Sequence, residues 1–276
     1  MNRTLLTILL ACLTAALPVK AQSSYNELVE EAMKCIKLDS LAQAENLFRQ
    51  ALKTDPTNAR NALVFSNLGT VLKRQGKTDE AISNYTFALN ITPYATSILL
   101  NRAALYLEKG MQDKAYIDYC NVIDLIPDNT EARLFRAYIY MQRRQYDEAR
   151  IDYNAILGKD MKNRTARLGI VMLDQKEGRY PAARDGLNLL LQEYPHDTTL
   201  LKMRANLELE QNRPDIALID IDQILSVNPS DAEAYVMKGD ICLTQKKKDE
   251  ARKAYEQAIA HGIPRPELND RLMQCK

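Results

Sequence analysis

Residues 78–93 read TDEAISNYTFALNITP, and residues 112–127, 34 positions on, read QDKAYIDYCNVIDLIP. Both carry an Ala in the fourth place, a Tyr four residues later, an apolar pair beginning three residues after that, and a closing Pro. Outward from these two stretches the Ala recurs as Ala44, Ala81, Ala115, Ala149, Ala183, Ala217 and Ala251, at intervals of 37 and then five times 34. Four residues after it stand Phe48, Tyr85, Tyr119, Tyr153, Leu187, Ile221 and Tyr255, and three further on Ala51, Ala88, Val122, Ile156, Leu190, Ile224 and Ala258. A Pro follows at Pro56, Pro93, Pro127, Pro195 and Pro229, whereas Met161 and Ile263 depart from the rule and Pro264 follows the latter. A fixed period of this length is the signature of a repeat array.

The upstream half of each repeat has its own small residue, twelve before the Ala: Ala32, Gly69, Ala103, Ala137, Val171, Ala205 or Gly239. Between the halves lie turn signals such as Gln75-Gly76, Lys109-Gly110 and Glu177-Gly178. Each repeat therefore reads as helix, short turn, helix, with Pro ending the second helix because it cannot continue the hydrogen-bond ladder. Two small residues let the paired helices approach closely, and the bulky residue one turn along fills the space that remains. Such a pair is apolar on both sides and is stable only when stacked on neighbours.

A 34-residue unit with small residue, small residue, aromatic and Pro at these offsets resembles the tetratricopeptide repeat. The resemblance covers about residues 25–265 as seven repeats, near 25–58, 62–95, 96–129, 130–163, 164–197, 198–231 and 232–265. It implies an all-α fold, an α-solenoid wound as a right-handed superhelix of antiparallel helix pairs. The first helices lack the Trp that the family prefers, and the fifth repeat, with Val171 and Asp174, diverges most. The three extra residues of the first interval fall around residues 56–61, where a longer loop or an extended helix start would absorb them. Residues 266–276 are expected to form a short capping helix, with Pro266 in its first turn.

The composition agrees with a helical array: among 276 residues, 46% are hydrophobic and 26% charged, with nine Gly and ten Pro. Residues 1–21 start with one basic residue, continue with an apolar run from Leu5 to Leu17, and end in Val19-Lys20-Ala21, which reads as a secretory signal peptide cleaved before Gln22. A rival reading takes Leu9-Leu10-Ala11-Cys12 as a lipobox with lipid on Cys12, and a third leaves the apolar segment uncleaved. The run is too short to span a bilayer comfortably, and no integral span is expected after its removal. Cleavage takes away Arg3 and Lys20 and moves the net charge from +1 to about −1, so no basic surface argues for nucleic acid. The expected location is a bacterial periplasm or envelope, with an outer-membrane lipoprotein or a secreted protein as alternatives.

Four cysteines remain after cleavage, Cys35, Cys120, Cys242 and Cys275. They are too scattered for a disulfide scaffold and read as thiols packed like small hydrophobes, Cys242 with Cys275 being the one pairing to test. His196 and His261 sit in expected turns with no metal-ligand spacing, and no phosphate loop or nucleophile elbow is present. Neither catalytic residues, nor a cofactor, nor a metal is expected. Asp220 and Asp222 point to different faces of a helix, and Asp118, Asp152 and Asp220 share one repeat position, which reads as a solvated face. Lys246-Lys247-Lys248 reads as a solvated turn, and sequons occur at Asn2, Asn84, Asn90 and Asn163.

The resemblance also implies that the first helix of each repeat lines an inner, concave surface that binds peptides. One subclass holds a C-terminal carboxylate with a Lys and an Asn in one repeat, an Asn in the next, and a Lys and an Arg in the third. Asn101 matches the middle Asn, but Ser66 and Thr70 stand where the preceding partners belong, and Glu131 and Phe135 where the following ones do. A carboxylate needs convergent positive charge, so this clamp is not expected. The inner positions are instead Leu100, Ala104 and Leu107, then Leu134, Tyr138 and Met141, then Leu168, Met172 and Gln175. This mostly apolar stripe suits an extended segment or an amphipathic helix of a partner protein, the alternative being that these side chains pack among themselves. Further on, Lys202, Asn206, Glu210, Glu233 and Asp240 turn the surface polar. The function expected is that of a non-enzymatic exported scaffold for protein–protein interaction. The alternatives are a lipid-anchored envelope assembly factor that docks membrane machinery and, last, an enzyme.

Overall fold

The computed structural model describes residues 24–276. The leader and the lipobox around Cys12 lie outside the described residues. Among the described residues there are fifteen helices and no strand, and consecutive helices pack as pairs. Residues 24–37 form α1. Then follow α2 (Leu41–Thr54), α3 (Asn61–Arg74), α4 (Thr78–Ile91), α5 (Thr96–Glu108), α6 (Gln112–Leu125), α7 (Thr130–Gln142) and α8 (Tyr146–Lys159). The rest are α9 (Arg164–Lys176), α10 (Tyr180–Glu193), α11 (Thr198–Glu210), α12 (Pro214–Val227), α13 (Ala232–Thr244), α14 (Lys248–Ala260) and the capping helix α15 (Arg265–Gln274). The helices group into two compact bodies, the first ending at Ile139 within α7 and the second running from Tyr140. Odd-numbered helices up to α13 are called A helices below, and even-numbered ones B helices.

The recurring small and bulky residues are the core of each body. In the first, Ala44, Phe48, Ala81, Tyr85, Ala115 and Tyr119 are fully buried, and Ala183, Ala217, Ile221, Ala251 and Tyr255 are in the second. Each aromatic ring removed from water at these positions contributes about 1.5–3 kcal/mol, the term that stacking secures and an isolated pair would forgo.

All seven A-to-B turns share one conformation. The residue two after the A helix has a positive φ: Asp39, Gly76, Gly110, Arg144, Gly178, Asn212 and Lys246, with φ between 55° and 75°. The next residue's N–H donates back to the carbonyl five residues earlier, as from Met111 to Tyr106 (2.8 Å) and from Lys247 to Cys242 (2.8 Å), the bond that closes a Schellman cap. Glycine takes this conformation freely, whereas Arg and Lys carry a Cβ that crowds it. Arg144 and Lys246 are exposed, so Arg144→Gly and Lys246→Gly should each raise the unfolding free energy by about 0.5–1 kcal/mol, read as a higher urea midpoint.

The long first interval is absorbed by both expected routes. The loop from 55 to 60 is longer than the later B-to-A loops, and α3 starts one residue earlier than its counterparts. Asn61 stitches this loop, donating to the carbonyls of Asp55 (3.0 Å) and Pro56 (2.9 Å) and accepting from the Tyr25 hydroxyl (3.0 Å).

The aspartates read as a solvated face are not one. Asp118, Asp152 and Asp220 are 2%, 0% and 1% exposed. Arg102 binds Asp118 through Nε and Nη2 (both 2.8 Å), and Arg204 binds Asp220 likewise (2.9 and 2.6 Å). The third guanidinium nitrogen reaches the preceding B helix, from Arg102 to Thr86 (3.0 Å) and from Arg204 to Asn188 (2.7 Å). One Arg on an A helix thus ties together the B helices on either side. Burial opposes the charge on Arg102, but the hydrogen bonding and negative charge of Asp118, with Tyr106 adding to them, together outweigh it and hold the guanidinium above its ordinary pKa. In the fifth repeat both partners are absent together, Ile170 and Gly186 standing in their places. There Val171 fills the gap, its Cγ2 lying 2.6 Å from where a Cβ on Gly186 would sit. The larger residue at 171 is matched by the loss of a side chain across from it.

Cys35, Cys242 and Cys275 are buried free thiols and Cys120 a half-buried one. Cys242 and Cys275 join one apolar cluster with Tyr255 and Leu268 without forming a disulfide. His196 and His261 are exposed in turns, His261 stacked on Tyr235 (5.6 Å between ring centroids). Asn84 is buried, and Asn163 caps α9 by accepting from the Ala166 N–H (3.0 Å). Among the described residues no helix is long and apolar enough to cross a membrane, and no cluster of His, Cys, Asp and Glu could hold a metal ion.

Candidate partner-binding surface

The helical period sets the candidate residues on one stripe of each A helix, four and three residues apart. On α5, in the first body, Leu100 and Leu107 are half-buried against the core and Ala104 is half-buried between them. On α7, Leu134 is half-buried and Tyr138 is 47% exposed. In the second body, Met141 is half-buried, Leu168 leans on the core, and Met172 is 46% exposed. Gln175 donates to Glu210 Oε1 (2.8 Å). Leu100, Leu107 and Leu168 thus act as flanking core, while Tyr138 and Met172 present apolar surface outward.

Phe135, three residues before Tyr138 on α7, is a further exposed apolar side chain of the first body, although the sequence pattern marks it only as a departure from the carboxylate clamp. It is exposed and its ring stacks on Tyr119, with centroids 5.4 Å apart and planes 13° from parallel. Tyr119 is fully buried, and its hydroxyl has no hydrogen-bond partner. The repeats explain why: the Tyr85 hydroxyl pairs with Thr70 (3.0 Å) and that of Tyr255 donates to Asp240 (2.8 Å), and the residue at that place in the third repeat is Ala104. Burial pushes the Tyr119 phenol above its ordinary pKa, and the nearby Glu131, Asp118 and Glu108 push the same way.

The residues at the clamp positions are engaged locally. Asn101 donates to the Ser97 carbonyl (2.9 Å), and Thr70 to that of Ser66 (3.1 Å). Later in the second body the surface is laced by ion pairs. Lys202 meets Glu233 (3.0 Å) and Asp231 (3.1 Å), and Asp240 meets Arg271 of the capping helix (2.7 Å). Burial works against the Lys202 ammonium, but its bonds to Glu233 and Asp231 prevail and raise its pKa. Such ties keep these polar groups occupied within the chain.

Comparison with known proteins matches this architecture. The tetratricopeptide repeat family model matches residues 118–164 and 202–266. A crystal structure of a tetratricopeptide repeat protein from Parabacteroides merdae is 32% identical, covering 92% of this chain and 99% of that one, with a TM-score of 0.70. PilF of Pseudomonas aeruginosa is 18% identical over 76% of this chain and 94% of its own, TM-score 0.56. YrrB, a tetratricopeptide repeat protein with an unusual peptide-binding site, is 16% identical over 72% and 97%, also at 0.56. These two share the fold. No curated protein matches the chain. With the repeat period, the paired helices and a 32% identical relative spanned almost end to end, the chain belongs to the tetratricopeptide repeat family.

Proposed function

We propose that the chain is an exported, non-enzymatic scaffold that binds a protein or peptide segment along its A-helix stripes. The observation that carries this is the exposed apolar surface of Tyr138 and Phe135 on the first body and of Met172 on the second. Leu100, Ala104, Leu107, Leu134, Met141, Leu168 and Gln175 form the half-buried floor of the same stripes. Tyr suits recognition because it offers a large apolar ring with a polar tip, and Met because its unbranched, polarizable chain adapts to the surface it meets.

The test is a paired variant. Tyr138→Ala with Met172→Ala should weaken capture of the partner from the native host at least tenfold while leaving the far-ultraviolet helix signal unchanged. Capture equal to that of the unaltered chain would overturn the reading, and the single variants assign the loss to one body or the other. Export is tested separately by mass spectrometry of the mature N-terminus. Gln22 at the start supports a released scaffold, and a diacylated Cys12 supports the lipid-anchored envelope form.

A further inference from the structure

Two charge clusters in the second body lie one repeat apart and differ by a single carboxylate. In the first, Arg150 donates to Asp174 (2.7 Å) and Glu177 (2.6 Å), and Arg179 donates to Asp174 (3.0 Å) and also to Glu177. Two guanidiniums bridge two carboxylates. Thirty-four residues on, Arg184 donates through Nε to Glu208, and Arg213 Nη1 lies 3.6 Å from the other oxygen of Glu208. Gln211 stands where the second carboxylate, Glu177, stood. The second cluster is therefore one negative charge short.

The shortfall faces a cavity. A space of about 380 Å³ lies among α10, α11 and α12, with Arg184, Glu208, Arg213, Ile216 and Ile219 in its wall. Arg204 and Asp220, also in the wall, neutralise each other. Glu208 is 1% exposed and its Oε2 accepts no hydrogen bond, an orphan of the kind that a ligand's donor would satisfy. Ile216 and Ile219 are exposed apolar flanks. A cavity this size is within the range of small-ligand sites, and paired guanidiniums are the groups best shaped for a carboxylate.

We propose that this cavity binds a carboxylate ligand. Its anion bridges the free faces of Arg184 and Arg213 as Glu177 bridges Arg150 and Arg179, an N–H beside it donates to Glu208 Oε2, and its apolar part lies on Ile216 and Ile219. The neighbouring cluster shows that this fold tolerates two adjacent carboxylates when two guanidiniums join them. The carboxylate could come from a free or terminal acid or from an acidic side chain, and the experiment separates the two.

The full chain is titrated by calorimetry with N-acetyl-leucine, with acetyl-leucyl-aspartyl-amide, whose one carboxylate is a side chain, and with the neutral N-acetyl-leucinamide. At least one acid should bind saturably with a Kd of roughly millimolar or tighter, and the neutral amide at least tenfold more weakly. Which acid binds names the source. Gln211→Glu restores the internal carboxylate and should weaken the acid at least tenfold, as should Arg213→Gln, both keeping the Arg184–Glu208 pair and the helix signal. Absence of saturable binding by either acid, equal binding of the neutral amide, or unchanged affinity in both variants would overturn the assignment.

Discussion

Arg204→Met should lower the stability of the second body by about 3–5 kcal/mol, a large share of what a domain has to lose. The arginine is replaced by a side chain of similar length, so packing is largely kept, and the cost arises from Asp220. That carboxylate is 1% exposed, and both its oxygens are held by the one guanidinium, at 2.9 and 2.6 Å. Without it a buried charge is left with neither solvent nor counterion. The loss also frees Asn188 on the preceding B helix, so the joint between α10 and α11 loosens along with the α11–α12 pair. Hydrogen exchange should therefore speed up in α10, α11 and α12 together. Adding Asp220→Leu should recover most of the stability, because an apolar pair of similar volume is as good as a buried ion pair or better. A double variant no more stable than the single one would show that the arginine acts through packing instead.

The same pair shows where reading the chain alone falls short. The period was legible because small and aromatic residues recur on single helices, at spacings that the helical repeat explains. The role of Asp118, Asp152 and Asp220 was not, because a recurring carboxylate fits solvent as well as burial until its partner is found on another helix. The signal was present in a different form: Arg102 and Arg204 stand sixteen residues before Asp118 and Asp220, and both places change together in the fifth repeat, to Ile170 and Gly186. Substitution of two positions at once within one chain's repeats is evidence of contact. The turns divide in the same manner. Gly76, Gly110 and Gly178 announce a positive φ, whereas Arg144 and Lys246 adopt it only because the helices on either side impose it.

The stripe on the A helices was legible as a pattern, with Tyr138 and Met172 at its most open places. Phe135 was hidden because its position is known in the family for a charged residue, and its worth depends on the ring of Tyr119 beneath it. The cavity beside Glu208 was less legible still. It follows from comparing Glu177 with Gln211, a difference that has meaning only once the two arginines around each are seen to converge.

Gly239→Ala is expected to cost about 2–3 kcal/mol, far more than the loss of a glycine from a helix would suggest. On propensity alone Ala should be better in α13. The added Cβ, however, would sit 2.3 Å from Cε1 of Tyr255, 2.6 Å from Cδ1 and 2.8 Å from Cζ, so the ring must move. It has little room to do so. Tyr255 is fully buried, and its hydroxyl is tied to Asp240, which in turn holds Arg271 of α15 (2.7 Å). Displacing the ring therefore strains the α13–α14 pair and slackens the capping helix, and hydrogen exchange should rise across α13, α14 and α15. Gly239→Ala combined with Tyr255→Ile should recover much of the loss, since the sixth repeat has Ala205 and Ile221 at the corresponding places, both fully buried. If Gly239→Ala alone were neutral, the close approach of the Tyr255 ring to the α13 backbone could not be what sets the spacing of this last pair.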